Sequence, residues 1–135
     1  MGKSLAHAAI GGVGMRGIGI DAVDIDRFRR ALERTPNLSA RLFTADELRS
    51  VAAKSDNASS LAARFAVREA TMKALGVGLG AFDLHDVSVS KLPTGQPVLQ
   101  VRGRAQQIAQ SRGITSWQVS ISHTDSVAVA VVAAE

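Results

Sequence analysis

One helical segment constrains the fold of this 135-residue chain more than any other stretch. Residues 63–76 read ARFAVREATMKALG, and at 100° per residue small apolar side chains lie on two opposite faces of the predicted helix. One face carries Ala63, Val67, Ala70 and Ala74, and the other carries Phe65, Ala66 and Met72 around two charges. These charges are Glu69 and Lys73. We therefore expect a helix that packs on more than one side, with both charges partly buried.

Two interpretations of Glu69 and Lys73 compete. As an i,i+4 pair on a solvated face they would stabilise the helix by only about 0.2–0.5 kcal/mol. The apolar surroundings weaken this interpretation, because burying an ion pair for stability alone gains little. A carboxylate and an ammonium on one helix also suit a magnesium-bound phosphate ester, with Lys73 as the counter-charge.

The first half of the chain is predicted to be a short strand followed by three helices. The strand is RGIGID, residues 16–21, and it ends at Asp21. Asp24 is expected to cap the first helix, which Pro36 stops, and the Thr44–Glu47 capping box begins the second. The loop 55–60 supplies the cap of the third helix, which ends at Gly76.

The second half is predicted to contain a hairpin, a helix and a second hairpin. DVSVSKL and PVLQVRG flank the turn PTGQ, and a short helix follows and ends at Gly113. WQVSISH alternates apolar and polar residues, as in a strand with one buried face, and HTDS is a turn. VAVAVV is an apolar run and is predicted to be a buried strand. We predict an α+β fold with helices packed on a mostly antiparallel sheet. Residues 16–135 form a single domain, and residues 1–15 are expected to be a flexible N-terminal extension.

Composition narrows the classes of function. The net charge of +4 favours an anionic partner. Aromatic residues make up only 4% of the chain, which argues against a protein that stacks single-stranded nucleic acid. No cysteine is present, so disulfides and thiol catalysis are excluded, and no apolar run is long enough to cross a bilayer. We expect a cytoplasmic protein with neither a membrane nor a nucleic-acid partner.

A second carboxylate, Asp21, stands at the predicted end of the GIGID strand. Alone, it would be interpreted as a turn residue. Together with Glu69 it makes a credible two-carboxylate magnesium site, because this ion prefers hard oxygen ligands. GIGIDA also partly matches the dinucleotide-binding fingerprint, but three helices in a row break the βαβ pattern that the fingerprint requires.

Basic residues form a ridge on the first predicted helix. Arg27, Arg30 and Arg34 follow i, i+3, i+7 spacing, opposite an apolar face. The ridge is either a solvated surface or a docking surface for an acidic partner. Near the C-terminus, the turn after SISH places His123 and Thr124 where they are either structural or able to contact phosphate.

Taken in order, these motifs resemble a known family. GIGIDAVDIDRF, FTADEL, ARFAVREATMKALGVG, the TGQP turn and SISHT are similar to segments of holo-acyl-carrier-protein synthases, the small bacterial type of 4′-phosphopantetheinyl transferase. The resemblance covers roughly residues 16–135. It implies that coenzyme A is cleaved at its diphosphate and that the phosphopantetheine arm passes to a carrier-protein serine, in support of fatty-acid or polyketide biosynthesis.

The resemblance also implies roles for individual residues. Asp21 and Glu69 would bind magnesium, Lys73 would stabilise phosphate charge, and Glu69 or a magnesium-bound water would be the base. The positions implied to contact coenzyme A are Arg64, Lys73, Gly76, Pro97, His123 and Thr124. Arg27 lies on the helix that docks the acidic acyl carrier protein, and geometry extends this surface to Arg30 and Arg34. Members of the family are commonly homotrimers with active sites between subunits.

One residue departs from the family pattern. Arg68 stands where lysine is frequent, so a docking or phosphate contact could survive there but a role as base could not. Two other classes of protein remain as alternatives: a metal-dependent nuclease of the ribonuclease H-like class, and a non-catalytic basic module that binds nucleic acid. The helix directly after the first acidic strand counts against the nuclease, and the second alternative leaves Asp21 and Glu69 unexplained.

Overall fold

The computed structural model of this protein describes residues 14–135. Of the predicted N-terminal extension over residues 1–15, residues 1–13 lie outside the described part. The elements run in the order β1 (Gly17–Asp24), α1 (Ile25–Arg34), α2 (Leu38–Leu42), α3 (Ala45–Val51), α4 (Ala58–Leu75), a 3₁₀ turn (Leu84–Asp86), β2 (Val87–Lys91), β3 (Pro97–Val101), α5 (Gly103–Ser111), β4 (Trp117–His123) and β5 (Val127–Ala134). None of the helices in this part is long and apolar enough to cross a membrane.

The strands form two antiparallel sheets, which confirms the predicted α+β class. Three strands pair in the order β1-β5-β4, and β2 pairs with β3 as the predicted hairpin. Helix α4 packs across β1 and β5, and both ends of its sequence contribute to apolar clusters. Thirteen of its side chains are buried, in agreement with the expectation that it packs on more than one side.

The glycines of GIGID allow α4 to lie directly on β1. A Cβ atom on Gly17 would collide with the carbonyl oxygen of Ala74, and one on Gly19 would collide with that of Ala70. Alternate residues of a strand share a face, so Asp21 is the next side chain on the face that meets α4. The glycine spacing therefore serves a helix–strand contact, and it explains the partial match to the dinucleotide fingerprint.

The prediction that the first strand ends at Asp21 was wrong. The strand β1 continues to Asp24, because β5 supplies a partner at every position down to the pair Asp24–Val127. Asp21 therefore lies inside the strand, where the sheet holds its backbone. Asp24 is the N-cap of α1 as predicted, since its carboxylate accepts a hydrogen bond from the Arg27 N–H at 2.9 Å.

Other helix ends follow the predicted chemistry with two exceptions. The Thr44–Glu47 capping box is present, and Gly76 ends α4 in the left-handed conformation at φ 69°. The loop before α4 does not supply a side-chain cap from its N-cap residue; instead Asp56 accepts from the Ala58 N–H at 3.1 Å. The five-residue helix α2 was not predicted, because so short a helix shows no apolar period.

Candidate active site

Two predicted site carboxylates meet where β1 passes under α4. Asp21 and Glu69 line the same cleft of about 400 Å³, together with Arg27, Arg34 and Phe65. Burial raises the pKa of the Glu69 carboxyl, and the negative charge of Asp21 raises it further, against the opposing charge of Lys73. The two carboxylates line one cleft and carry like charges, so they repel each other. A cation between them would relieve that repulsion.

Lys73 extends over the free edge of β1. Its Nζ donates to the Asp21 carboxylate at 3.1 Å and to the backbone oxygen of Ile20 at 2.9 Å. The side chain is 55% exposed, so the expectation of partial burial was correct for Glu69 and wrong for Lys73. The reason is that β1 is an edge strand, so a long side chain can pass it and reach solvent. The ion pair that Lys73 makes is with Asp21, from a strand more than fifty residues away in sequence.

The donor set of this cleft is compatible with magnesium. Two carboxylates are a typical protein contribution, with phosphate oxygens and water completing the octahedron. Within residues 14–135, no group of three or more His, Asp or Glu side chains is placed to hold a metal ion. A magnesium site at Asp21 and Glu69 would therefore depend on oxygen ligands from a substrate.

A second cleft, of about 250 Å³, is strongly basic. Lys54, Arg64 and Lys91 line it, and none of its described lining residues carries a carboxylate. Three of the residues implied to contact coenzyme A lie here, namely Arg64, Pro97 and His123. Lys54 and Lys91 were missed by the sequence analysis. The only sequence signal for Lys91 is its place at the end of β2, directly before the hairpin turn.

The residues that line this basic cleft supply no carboxylate, although the same three cations also line another cleft that contains Asp46. Burial lowers the pKa of Arg64, only 4% of which is exposed, and the neighbouring charge of Arg68 lowers it further against that of Glu47. Burial also lowers the pKa of Lys91, as do the charges of Arg64 and Lys54. Arg64 donates to the backbone oxygen of Ser60 and to Ser50 Oγ, but its Nε has no hydrogen-bond partner among residues 14–135. A buried, incompletely satisfied guanidinium next to two ammonium groups is a site for an anion.

Four predicted site residues do not line either cleft: Lys73, whose contacts are given above, and Thr124, Gly76 and Arg30. Thr124 holds the turn before β5, where its hydroxyl accepts from the N–H groups of Ser126 and Val127 at 3.2 and 3.1 Å. Gly76 ends α4, and Arg30 is exposed on α1. By contrast, Arg27 and Arg34 of the predicted docking ridge line the carboxylate cleft.

The structure excludes the docking or phosphate contact considered for Arg68. Its side chain is 0% exposed and forms a bidentate ion pair with Glu47, which is also buried. No sequence pattern predicts this ion pair, because the capping box already accounts for Glu47.

The fold and the paired clefts define a class of small α+β proteins that present two carboxylates and a lysine at a strand–helix junction. Residues 17–132 match the 4′-phosphopantetheinyl transferase superfamily, and this chain belongs to that family. It is 47% identical to a holo-[acyl-carrier-protein] synthase of Streptomyces avermitilis and 45% identical to one of Beutenbergia cavernae. Each alignment covers 88% of this chain, and it covers 96% of the Streptomyces avermitilis protein and 97% of the Beutenbergia cavernae protein.

A solved structure has the same fold with a bound ligand. It is the Helicobacter pylori holo-[acyl-carrier-protein] synthase in complex with coenzyme A, which is 32% identical. It matches with a TM-score of 0.76 over 87% of this chain and 99% of that one.

Proposed function

We propose that this protein transfers the 4′-phosphopantetheine arm of coenzyme A to a serine of an apo acyl carrier protein. The products are the holo-carrier and adenosine 3′,5′-bisphosphate, the reaction depends on Mg²⁺, and it serves fatty-acid or polyketide biosynthesis in the cytoplasm. The observation that carries the proposal is the junction of Asp21, Glu69 and Lys73 in a chain of this family. These three groups offer metal ligands, a proton acceptor and a cation at one place.

Coenzyme A is proposed to place its nucleotide in the basic cleft. Arg64, Lys54 and Lys91 provide positive charge for phosphate groups, and Pro97 and His123 line the same cleft. The complex of the Helicobacter pylori relative with coenzyme A supports this choice of ligand. Thr124 and Gly76 would then act through the backbone conformations that they fix.

Magnesium, held by Asp21 and Glu69, would withdraw charge from the diphosphate of the substrate. The carrier serine oxygen forms a bond to the β-phosphorus of that diphosphate, and the bond from this phosphorus to the bridging oxygen breaks as adenosine 3′,5′-bisphosphate leaves. Lys73 sits beside Asp21 and is exposed enough to stabilise the charge that develops on the leaving group. The serine proton passes to Glu69 or to a water beside Asp21. Partial burial and the raised pKa make Glu69 a competent acceptor.

The carrier protein is proposed to dock along α1. Arg27 and Arg34 stand at the carboxylate cleft, so an acidic helix bound there would bring its serine to the reacting phosphorus. Arg30 lies on the same helix and adds to the positive field without lining the cleft.

A homotrimer with active sites between subunits is also proposed. The carboxylate cleft and the basic cleft share no described lining residue, so one chain offers two half-sites. The outward face of β1 carries Ile18 and Ile20, each 58% exposed, beside Val129 and Val131 of β5. An apolar sheet face of this kind would be covered by a neighbouring subunit.

The direct test is intact-mass analysis of apo carrier proteins incubated with this protein, Mg²⁺ and coenzyme A. We expect a gain the size of phosphopantetheine that disappears when Mg²⁺ is chelated. The matched variants are D21A and E69Q, in which the gain should be lost. No gain with a panel of fatty-acid and polyketide carriers would contradict the proposal, and nicking of a branched duplex would favour the nuclease alternative.

A further inference from the structure

A fully buried ion pair lies behind the basic cleft. Arg68 of α4 and Glu47 of α3 have side chains that are 0% and 1% exposed. The guanidinium donates through Nη2 to Oε1 at 2.5 Å and through Nη1 to Oε2 at 3.1 Å. Its carbon also lies 4.9 Å from the centre of the Phe43 ring. The planar arginine fork is therefore held in one orientation on both its edge and its face.

The remaining hydrogen bonds of the pair join four elements of the fold. Arg68 Nε donates to the Leu84 oxygen of the 3₁₀ turn at 2.9 Å, and Nη1 donates to the Arg64 oxygen at 3.3 Å. Glu47 accepts from the backbone N–H of Val89 in β2 at 3.0 Å. The pair thus fixes α3 and β2 against α4.

Stability alone does not account for such a pair. Well-packed apolar side chains of the same volume often stabilise a core as much as or more than a buried ion pair. What the pair adds is directional geometry, because its bonds run in fixed directions from α4 to α3 and the 3₁₀ turn, and from α3 to β2.

Two of the elements that the pair joins, α4 and β2, line the basic cleft, and α3 reaches its Arg64 through Ser50. Ser50 follows Glu47 by one turn of α3; its hydroxyl donates to the backbone oxygen of Glu47 at 2.7 Å and accepts from Arg64 Nη2 at 3.2 Å. On β2, Val89 is bonded to Glu47, and both Val89 and Lys91 line the cleft. The positions of Arg64 and Lys91 are therefore both set through Glu47.

We infer that Arg68 is a positioning residue that, through Glu47, sets the spacing of Arg64 and Lys91 for the phosphate groups of the nucleotide. The inference rests on the proposed use of coenzyme A as substrate. Lysine would keep the charge, but one ammonium lacks the planar fork needed to hold both carboxylate oxygens and the Leu84 and Arg64 carbonyls together.

The test compares R68K with V67A. Val67 is a fully buried neighbour on α4, so V67A lowers stability without touching the ion pair or the cleft. Calorimetry on the full chain measures the Kd for adenosine 3′,5′-bisphosphate, and steady-state assays give kcat and KM for coenzyme A. We expect R68K to raise both Kd and KM about fivefold, with kcat and the Mg²⁺ dependence within about twofold of wild type. V67A should leave the Kd within about twofold of the wild-type value, even if its Tm falls as far as that of R68K.

Two results would overturn the inference: R68K binding the bisphosphate as tightly as wild type, or V67A weakening binding equally. If R68K does not fold, S50A removes only the hydroxyl that links α3 to Arg64, and it should raise Kd about threefold. An unchanged Kd in S50A then overturns the inference. If the wild-type protein modifies no apo carrier, the proposed function itself is refuted. If the wild-type protein is active and R68K has an unchanged Kd, only the positioning role is refuted.

Discussion

The two clefts of this protein are built in opposite ways. The carboxylate cleft forms where two short motifs, GIGID and REATMK, cross at the β1–α4 contact, and its key groups are close to each other in space because two glycines remove all side-chain bulk. The basic cleft gathers single residues from α4, the hairpin and β4, with a buried ion pair behind it. The first cleft therefore depends on one contact between two local motifs, and the second depends on the packing of several elements.

This difference separates chemistry from recognition. The carboxylates Asp21 and Glu69, the latter partly buried, lie in the first cleft, while three cations and no carboxylate line the second. Substitutions in the first should therefore act on turnover and those in the second on substrate affinity. The predictions below test that separation, beginning with the largest effect.

The most severe loss is expected from E69Q. Removing the metal ligand and candidate base should lower kcat by about 100-fold or more, while the Tm stays equal to or above wild type because repulsion with Asp21 is relieved. Transferase assays and thermal unfolding at neutral pH measure the two effects. A kcat of E69Q within about threefold of the wild-type value would show that Glu69 takes no part in the chemical step.

K91E should act on affinity. Reversing one charge of the basic cleft is expected to raise KM for coenzyme A about tenfold or more, with a much smaller change in kcat. A fall in kcat at saturating coenzyme A with KM unchanged would contradict the division between the clefts. K54E offers a parallel variant in the same cleft.

The docking surface should show a smaller, salt-dependent effect. R34E is expected to lower kcat/KM for the carrier protein about tenfold at low ionic strength, and less at high salt because screening weakens the attraction in wild type. The control is R41E, which makes the same charge change on α2, away from this cleft. If the two variants had equal effects, net charge alone would explain the loss, and α1 would not be a specific docking surface.

The smallest effect concerns acid stability. Burial alone would raise the pKa of the Glu47 carboxyl, but the hydrogen bond and charge of Arg68, with the N–H groups of Thr44 and Val89, hold it below its usual value of 4.5. Because the folded-state pKa is lowered, the stabilisation is present above the unfolded pKa and is lost as pH falls through the folded one. Wild type should therefore lose Tm more steeply than E47Q as pH drops below about 4. Parallel curves would show that the pair carries no pH dependence.

Much of the fold was predictable because its signals are local. The Asp24 cap, the Thr44–Glu47 box, Gly76 and the alternating strands each depend on residues a few positions apart. The extension of β1 to Asp24 was missed because it depends on pairing with β5, at the other end of the chain.

The same rule applies to the candidate site. Asp21 and Glu69 could be paired from their motifs, although the ion pair of Lys73 with Asp21 depends on the edge position of β1. Lys91 has no local signal beyond its place at the end of β2, since its role comes from the packing of the hairpin beside α4. The burial of Arg68 was equally hidden, because no sequence pattern links it to Glu47, 21 positions away.

The proposal that the two clefts work together across subunits is tested most directly by mixing two impaired variants. E69Q keeps an intact basic cleft and K91E keeps an intact carboxylate cleft, so a mixed oligomer contains some complete sites. After co-expression in equal amounts, at coenzyme A concentrations well below the wild-type KM, where K91E alone keeps about a tenth of the activity or less, we expect about a quarter of the wild-type transferase activity, since random assembly pairs the two intact halves at that frequency. No activity above that of the separate variants would contradict this account and place both clefts of each site in one chain.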